Sequence, residues 1–193
     1  MELEDFADEI EVICMTGTPS ERVEVLRRRL DDFTPGEIGR AEFLTALAGE
    51  LNLVEDHDGA RQASLAAIED GGPTELDPRC GLLMNDLDAG EHERADEVLK
   101  DLLGRARTGA LGSVECEWIA GSLEKAGRLR QALRWFTLPL LDVHPADVED
   151  VDLPALHGRY RVRRELGLPL DMYDHARDEW LALEKELEEN PDL

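Results

Sequence analysis

The chain reads CGLLMNDLDAGEHERADEVLKDL over residues 80–102. The apolar residues of this stretch recur at helical spacing on both sides of Gly90, which interrupts the pattern near its middle. A glycine ends a helix well because it accepts the left-handed backbone conformation that a Cβ penalises. The stretch therefore predicts two helices joined by a short turn, a helical hairpin.

The same pattern occurs three times along the chain. When Ala60, Ala95 and Ala132 are taken as equivalent, the spacings are 35 and 37 residues, close to the roughly 34 residues of one helix–turn–helix repeat. An alanine early in the second helix lets the first helix approach closely. The three clearest repeats and two degenerate terminal hairpins span 41–72, 76–107, 113–143, 3–33 and 153–189.

The array resembles the tetratricopeptide repeats, a family of helical-hairpin repeats. The resemblance is carried by turn glycines, by small residues in both helices and by one aromatic packing residue: Gly90, Gly127, Ala48, Ala120, Ala60, Ala95, Ala132 and Phe136. The sequence departs from the family pattern at four positions: Glu55 in place of a turn glycine, Leu83, Asp86 and Pro139. The resemblance implies an all-α protein of about ten helices, in which antiparallel helix pairs stack as a short right-handed α-solenoid. It also implies a single helical-repeat domain over 1–193.

The charge of the chain limits its partners. The 193 residues include 45 Asp and Glu against 21 Lys and Arg, a formal charge of −24. Such a charge repels nucleic acid and anionic membrane surfaces, and it favours basic or amphipathic protein partners. The alternative is that it only keeps the protein soluble. Because lysine is rare, the bias is also typical of codon usage or of a high-salt cytoplasm, and composition leaves these two open.

The expected compartment is the cytoplasm. No segment is long and apolar enough to cross a membrane, and the acidic start of the chain is unlike a secretory signal. Cys14, Cys80 and Cys116 lie far apart in apolar-periodic segments. This spacing favours reduced, buried thiols over a disulfide framework.

No motif indicates catalysis or cofactor binding. The sequence has no nucleophile elbow, phosphate-binding loop or dinucleotide fingerprint. His57 and His92 lie in equivalent predicted turns among acidic residues, but neither belongs to a His or Cys pair with the spacing of zinc ligands. We therefore expect a non-catalytic protein without a metal or a cofactor.

The family resemblance implies a groove, lined by the first helices of successive pairs, that binds a peptide or helix of a partner protein. In this chain the groove would use four carboxylates and one partly exposed aromatic residue: Glu50, Asp86, Glu117, Glu124 and Trp118. Such a groove prefers basic or amphipathic ligands. The alternative function is a structural subunit that self-associates into a homo-oligomer and has no groove ligand.

A basic segment stands out against the acidic background, with arginines at Arg159, Arg161, Arg163 and Arg164. One interpretation is a partner-binding site for an acidic peptide, a carboxyl terminus or a phosphate, since a guanidinium binds such groups in bidentate fashion. The other is that these arginines pair with acidic faces of neighbouring repeats and hold the stack together. The sequence leaves both interpretations open.

Overall fold

A computed structural model describes residues 3–142, 144–145 and 153–189 of the chain. All regular secondary structure within these ranges is helical, so the all-α prediction is confirmed. The chain divides into two compact units, Met1–Ala110 and Leu111–Leu193. The assignment of both units to one repeat domain stays a prediction.

The first unit contains three helical hairpins. Its helices are α1 (Leu3–Cys14), α2 (Pro19–Leu30), α3 (Arg40–Leu53), α4 (His57–Asp70), α5 (Pro78–Asp88) and α6 (His92–Arg107). Each helix packs against the next one along the chain, and α3 also contacts α1 and α5. Contacts between the first helices of successive hairpins are those that stacked repeats make. This unit therefore has the solenoid-like packing that the repeats predict.

The second unit also begins with a hairpin. Its elements are α7 (Ser113–Lys125), α8 (Leu129–Thr137), a 3₁₀ turn (Leu138–Leu140), α9 (Leu153–Glu165) and α10 (Met172–Glu189). The last position of the predicted repeat 113–143 lies outside the described residues. Pro139 has no N–H to donate to a helix ladder, which explains why α8 ends at Thr137 and continues as one 3₁₀ turn.

Three turns between paired helices share one geometry although only two contain glycine. The φ angles of Gly90, Gly127 and Glu55 are +74°, +71° and +62°. In each turn the amide of the following residue donates to a carbonyl five positions earlier, at 2.8–3.0 Å. Glu55 thus adopts the conformation of the missing glycine, at a cost of roughly 1–2 kcal/mol. Its departure from the repeat pattern does not change the backbone of the turn.

The small residues predicted at the helix contacts are fully enclosed. None of the surface is exposed at Ala60, Ala95 and Ala132. Each of these small residues therefore allows a neighbouring helix to approach closely, as the repeat pattern predicts. Phe136 is buried in the second unit, as its repeat position predicts. All three cysteines are free thiols; Cys80 and Cys116 are buried, and Cys14 is half-buried.

Candidate partner-binding site

The two acidic groove residues predicted in the first unit lie in its interior. Glu50 on α3 is buried, and its Oε2 lies 2.8 Å from Nη2 of Arg22 on α2. Asp86 on α5 is only 1% exposed. Neither side chain presents much surface in this conformation, and their contact with a partner protein stays a prediction.

The four arginines of the segment do not share one anion site, because only Arg159 and Arg163 converge, on two carboxylates of their own chain. Arg159 is buried and binds both Oδ atoms of Asp171 through two N–H groups, at 3.0 and 2.5 Å. Its Nη1 also lies 3.5 Å from Oδ1 of the buried Asp174. Arg163 donates from Nε to the other oxygen of Asp174 at 3.0 Å. These contacts join α9 to the start of α10 within the predicted terminal hairpin 153–189, whereas the second interpretation of the segment expected pairing with neighbouring repeats.

Burial raises the pKa of Asp171, but its hydrogen bonds and its attraction to Arg159 outweigh that effect and hold the pKa below the usual value. The Tyr173 ring packs against the Arg159 guanidinium, whose carbon lies 4.8 Å from the ring centroid. The Arg159 guanidinium is therefore enclosed by its own chain. A partner protein would have to compete with two carboxylates to reach it.

The other two arginines of the segment are exposed. Arg161 binds both carboxylate oxygens of Glu124 on α7 at 2.6 Å, which joins α7 to α9. Glu124, predicted as a groove residue, is thus half-buried and engaged with an exposed arginine of its own unit. Arg164 is exposed at the end of α9.

Helix α7 carries an exposed apolar strip, which we define as Val114 and Trp118. Their side chains are 57% and 46% exposed, and a spacing of four residues places them on one helix face. Gly121 follows on the same face, where an added Cβ would meet open space. Glu117, next to Trp118, is half-buried. Among the predicted site residues, Trp118 therefore provides an exposed apolar surface that a partner could cover.

A second feature of the first unit is a cleft of about 290 Å³ between the α3–α4 turn and the α5–α6 turn, which we call the hairpin-turn cleft. Five carboxylates and two guanidiniums line it, so its formal charge is −3 with histidine neutral. The acidic residues are Glu55, Asp56, Asp58, Asp86 and Glu91, and the basic ones are Arg61 and Arg94.

Asp86 is the most buried carboxylate of the cleft. Its Oδ2 accepts no hydrogen bond from the part of the chain that the structure describes, and the Nη1 of Arg61 likewise has no acceptor there. The separation between Arg61 Nη1 and Asp86 Oδ1 is 3.8 Å, too long for a hydrogen bond. Burial raises the pKa of Asp86 and outweighs the opposing attraction of Arg61 and Arg94.

Hydrogen bonds between the two hairpins hold the walls of this cleft. Asn85 donates from Nδ2 to the carbonyl of His57 at 3.0 Å, and Asn52 donates to Asp88 at 2.9 Å. Both amide oxygens then face the Nδ1 of His57, at 3.2 and 2.9 Å. Because both are acceptors, Nδ1 carries the proton. The two turns are therefore fixed relative to each other around Asp86.

No protein-family model, curated protein or solved structure matches this chain. Membership of the tetratricopeptide-repeat family stays a prediction that rests on the repeat spacing and the packed hairpins. None of the described helices combines the length and the apolar character needed to cross a membrane.

Sequence reasoning identified Asp86 but missed the residues that surround it. Arg61 and Arg94 occupy nearby positions early in two second helices, and the turns at 55–58 and 90–93 are repeat-equivalent. Stacked repeats bring equivalent turns together. The sequence feature that could have identified the cleft is an acidic residue at a repeat position that is usually apolar. It lies beside two repeat-equivalent turns that contain many charged residues.

Proposed function

We propose that this protein is a non-catalytic protein–protein interaction adaptor, and that the apolar strip on α7 binds an amphipathic peptide or helix of a partner protein. The observation that carries the proposal is the 46% exposure of Trp118 beside the 57% exposure of Val114 on one helix face. Tryptophan is enriched among the few residues that dominate binding energy at interfaces. A partner helix would cover both side chains.

The charge of the protein supports a basic or amphipathic partner. With a formal charge of −24, the chain attracts positively charged segments and accelerates their encounter at low ionic strength. The apolar strip and the acidic charge would have different roles in binding. Apolar contact provides affinity, whereas charge provides encounter rate and selectivity. We therefore expect binding that weakens as salt increases.

We expect Trp118→Ala to weaken partner capture by about 30-fold, which corresponds to a hot-spot loss of about 2 kcal/mol. The measurement is quantitative mass spectrometry of proteins retained from the native lysate by the full chain and by the variant. The matched control is Leu65→Ala, because Leu65 is 44% exposed on α4 of the other unit. The proposal fails when Trp118→Ala retains every captured protein as well as the wild type does.

The alternative is a self-associating assembly subunit. Val12, in the last turn of α1, and Met15, just after the helix, favour it, since they are 65% and 79% exposed and lie three residues apart. Light scattering over a range of concentrations tests this alternative. An adaptor keeps the monomer mass of 21.6 kDa throughout, whereas a subunit that associates through α1 grows with concentration and reverts to monomer on Met15→Glu.

A further inference from the structure

The hairpin-turn cleft holds an ion pair, Arg61 and Asp86, whose closest N–O distance of 3.8 Å is too long for a hydrogen bond. Asp86, 1% exposed, has an Oδ2 without a donor in the described ranges, and Arg61 has an equally unsatisfied Nη1. Burying a carboxylate with an unused acceptor costs free energy, because water is lost and nothing replaces it. Asp86 therefore keeps unused hydrogen-bonding capacity at a position where the repeat pattern has an apolar residue.

The missing interactions define what would complete the cleft. Asp86 needs a donor, and Arg61 needs an acceptor within a few ångströms of that donor. A simple cation would satisfy only the aspartate and would leave Arg61 without an acceptor. A peptide provides both groups, since a lysine side chain donates and a neighbouring main-chain carbonyl accepts.

The charge around the cleft selects a basic peptide over an acidic one. The lining has a formal charge of −3. The whole first unit has 27 acidic against 11 basic side chains, a formal charge of −16. The volume of about 290 Å³ lies just below the range for small-molecule sites, about 300–1,000 Å³. It therefore suits one side chain and a short piece of backbone.

The carboxylates of the cleft are not placed as a metal site. Within the described ranges, no group of three or more His, Cys, Asp or Glu side chains could hold a metal ion together. The geometry thus favours an organic cation that forms directed hydrogen bonds.

We propose that the hairpin-turn cleft binds one lysine of a basic peptide segment from a partner protein. The ammonium donates to Asp86, the rim carboxylates attract it, and a main-chain carbonyl beside the lysine accepts from Arg61. This inference rests on the proposed adaptor function, because it names the chemistry of the partner. It uses residues of the first unit, whereas the α7 strip belongs to the second, so the two can fail separately.

The test is a nuclear magnetic resonance titration of the ¹⁵N-labelled full chain with acetyl-Gly-Lys-Gly-amide at low salt. Acetyl-Gly-Gln-Gly-amide and butylammonium are the comparison probes, because the first lacks the charge and the second lacks the peptide group. We expect the lysine peptide to shift amide signals of residues 55–61 and 85–94. We expect each comparison probe to bind at least tenfold more weakly.

Asp86→Asn is expected to weaken binding of the lysine peptide at least tenfold, because the amide keeps the shape of the carboxylate and removes its charge. Glu93→Gln is the matched control, since Glu93 is exposed on α6 and does not line the cleft; its affinity should stay within twofold of wild type. The melting temperature of Asp86→Asn should be no lower than that of the wild type, which a purely structural role for Asp86 would not allow.

Two results would overturn the proposal. One is unchanged lysine-peptide affinity in folded Asp86→Asn. The other is wild-type protein that binds the glutamine peptide or butylammonium as tightly as the lysine peptide, and this result needs no variant to fold. If either result is found and Trp118→Ala also loses partner capture, the adaptor function is retained. Only the assignment of the cleft as its lysine site is then wrong.

Discussion

Arg159→Ala is expected to lower the free energy of unfolding of the second unit by about 3 kcal/mol. The buried guanidinium binds Asp171 through two N–H groups and lies 3.5 Å from Asp174, which is itself 1% exposed. The substitution removes one of the two guanidinium groups that lie beside the buried Asp174 carboxylate. Arg163 still donates to it, so the loss falls at the lower end of the about 3–5 kcal/mol typical of a broken buried pair.

Urea denaturation of the variant and the wild type measures this difference, and hydrogen exchange of the α9 amides assigns it to the second unit. Arg164→Ala is the matched control, because Arg164 lies on the same helix and is exposed. Its effect should stay within about 0.5 kcal/mol. Equal effects of the two substitutions would show that the Arg159 ion pairs do not hold α9 to α10.

The pH dependence of the difference provides a second measurement. The pKa of Asp171 lies below its usual value in the folded protein, so its contribution to stability is present above the unfolded pKa of about 3.9. That contribution is lost as the pH falls through the lowered, folded pKa. The gap between wild type and Arg159→Ala should therefore be constant near neutrality and shrink below about pH 4.

Local signals in the sequence were enough to predict the helices and the turns between them. Gly90 and Gly127 mark two turns because a left-handed residue is needed there, and each alanine of the 35- and 37-residue spacing is enclosed. These features depend on a few neighbouring residues. Glu55 shows the limit of such local signals. Its turn has the same backbone conformation, but the sequence lacks the glycine from which that conformation is predicted.

The partners of charged residues could not be predicted in the same way. Helical periodicity places Glu50 and Asp86 on first helices, but their burial depends on how adjacent helices cover them, and Arg22 lies 28 positions before Glu50. In a chain with 45 acidic residues, every arginine has many possible partners. Only the packed structure selects Asp171 and Asp174 for Arg159, and it leaves Oδ2 of Asp86 without a hydrogen-bond donor among the described residues.

The second large effect is expected from Gly158→Ala, which should destabilise the second unit by about 1–3 kcal/mol. Gly158 lies inside α9, where alanine would ordinarily favour the helix by about 1 kcal/mol. An added Cβ would, however, overlap the ring of Phe136 on α8. That ring is buried in the core of the unit and has little room to move. The contact between α8 and α9 would have to open.

Gly121→Ala is the matched control for this prediction. Gly121 is also inside a helix of the second unit, but its added Cβ would meet no atom within 4 Å. Alanine should therefore stabilise α7 by about 0.4–1 kcal/mol. Thermal unfolding of both variants measures the contrast, and the two substitutions should shift the melting temperature in opposite directions. A stabilising Gly158→Ala would mean that α9 does not pack on Phe136, since helix propensity would then be the only effect that remains.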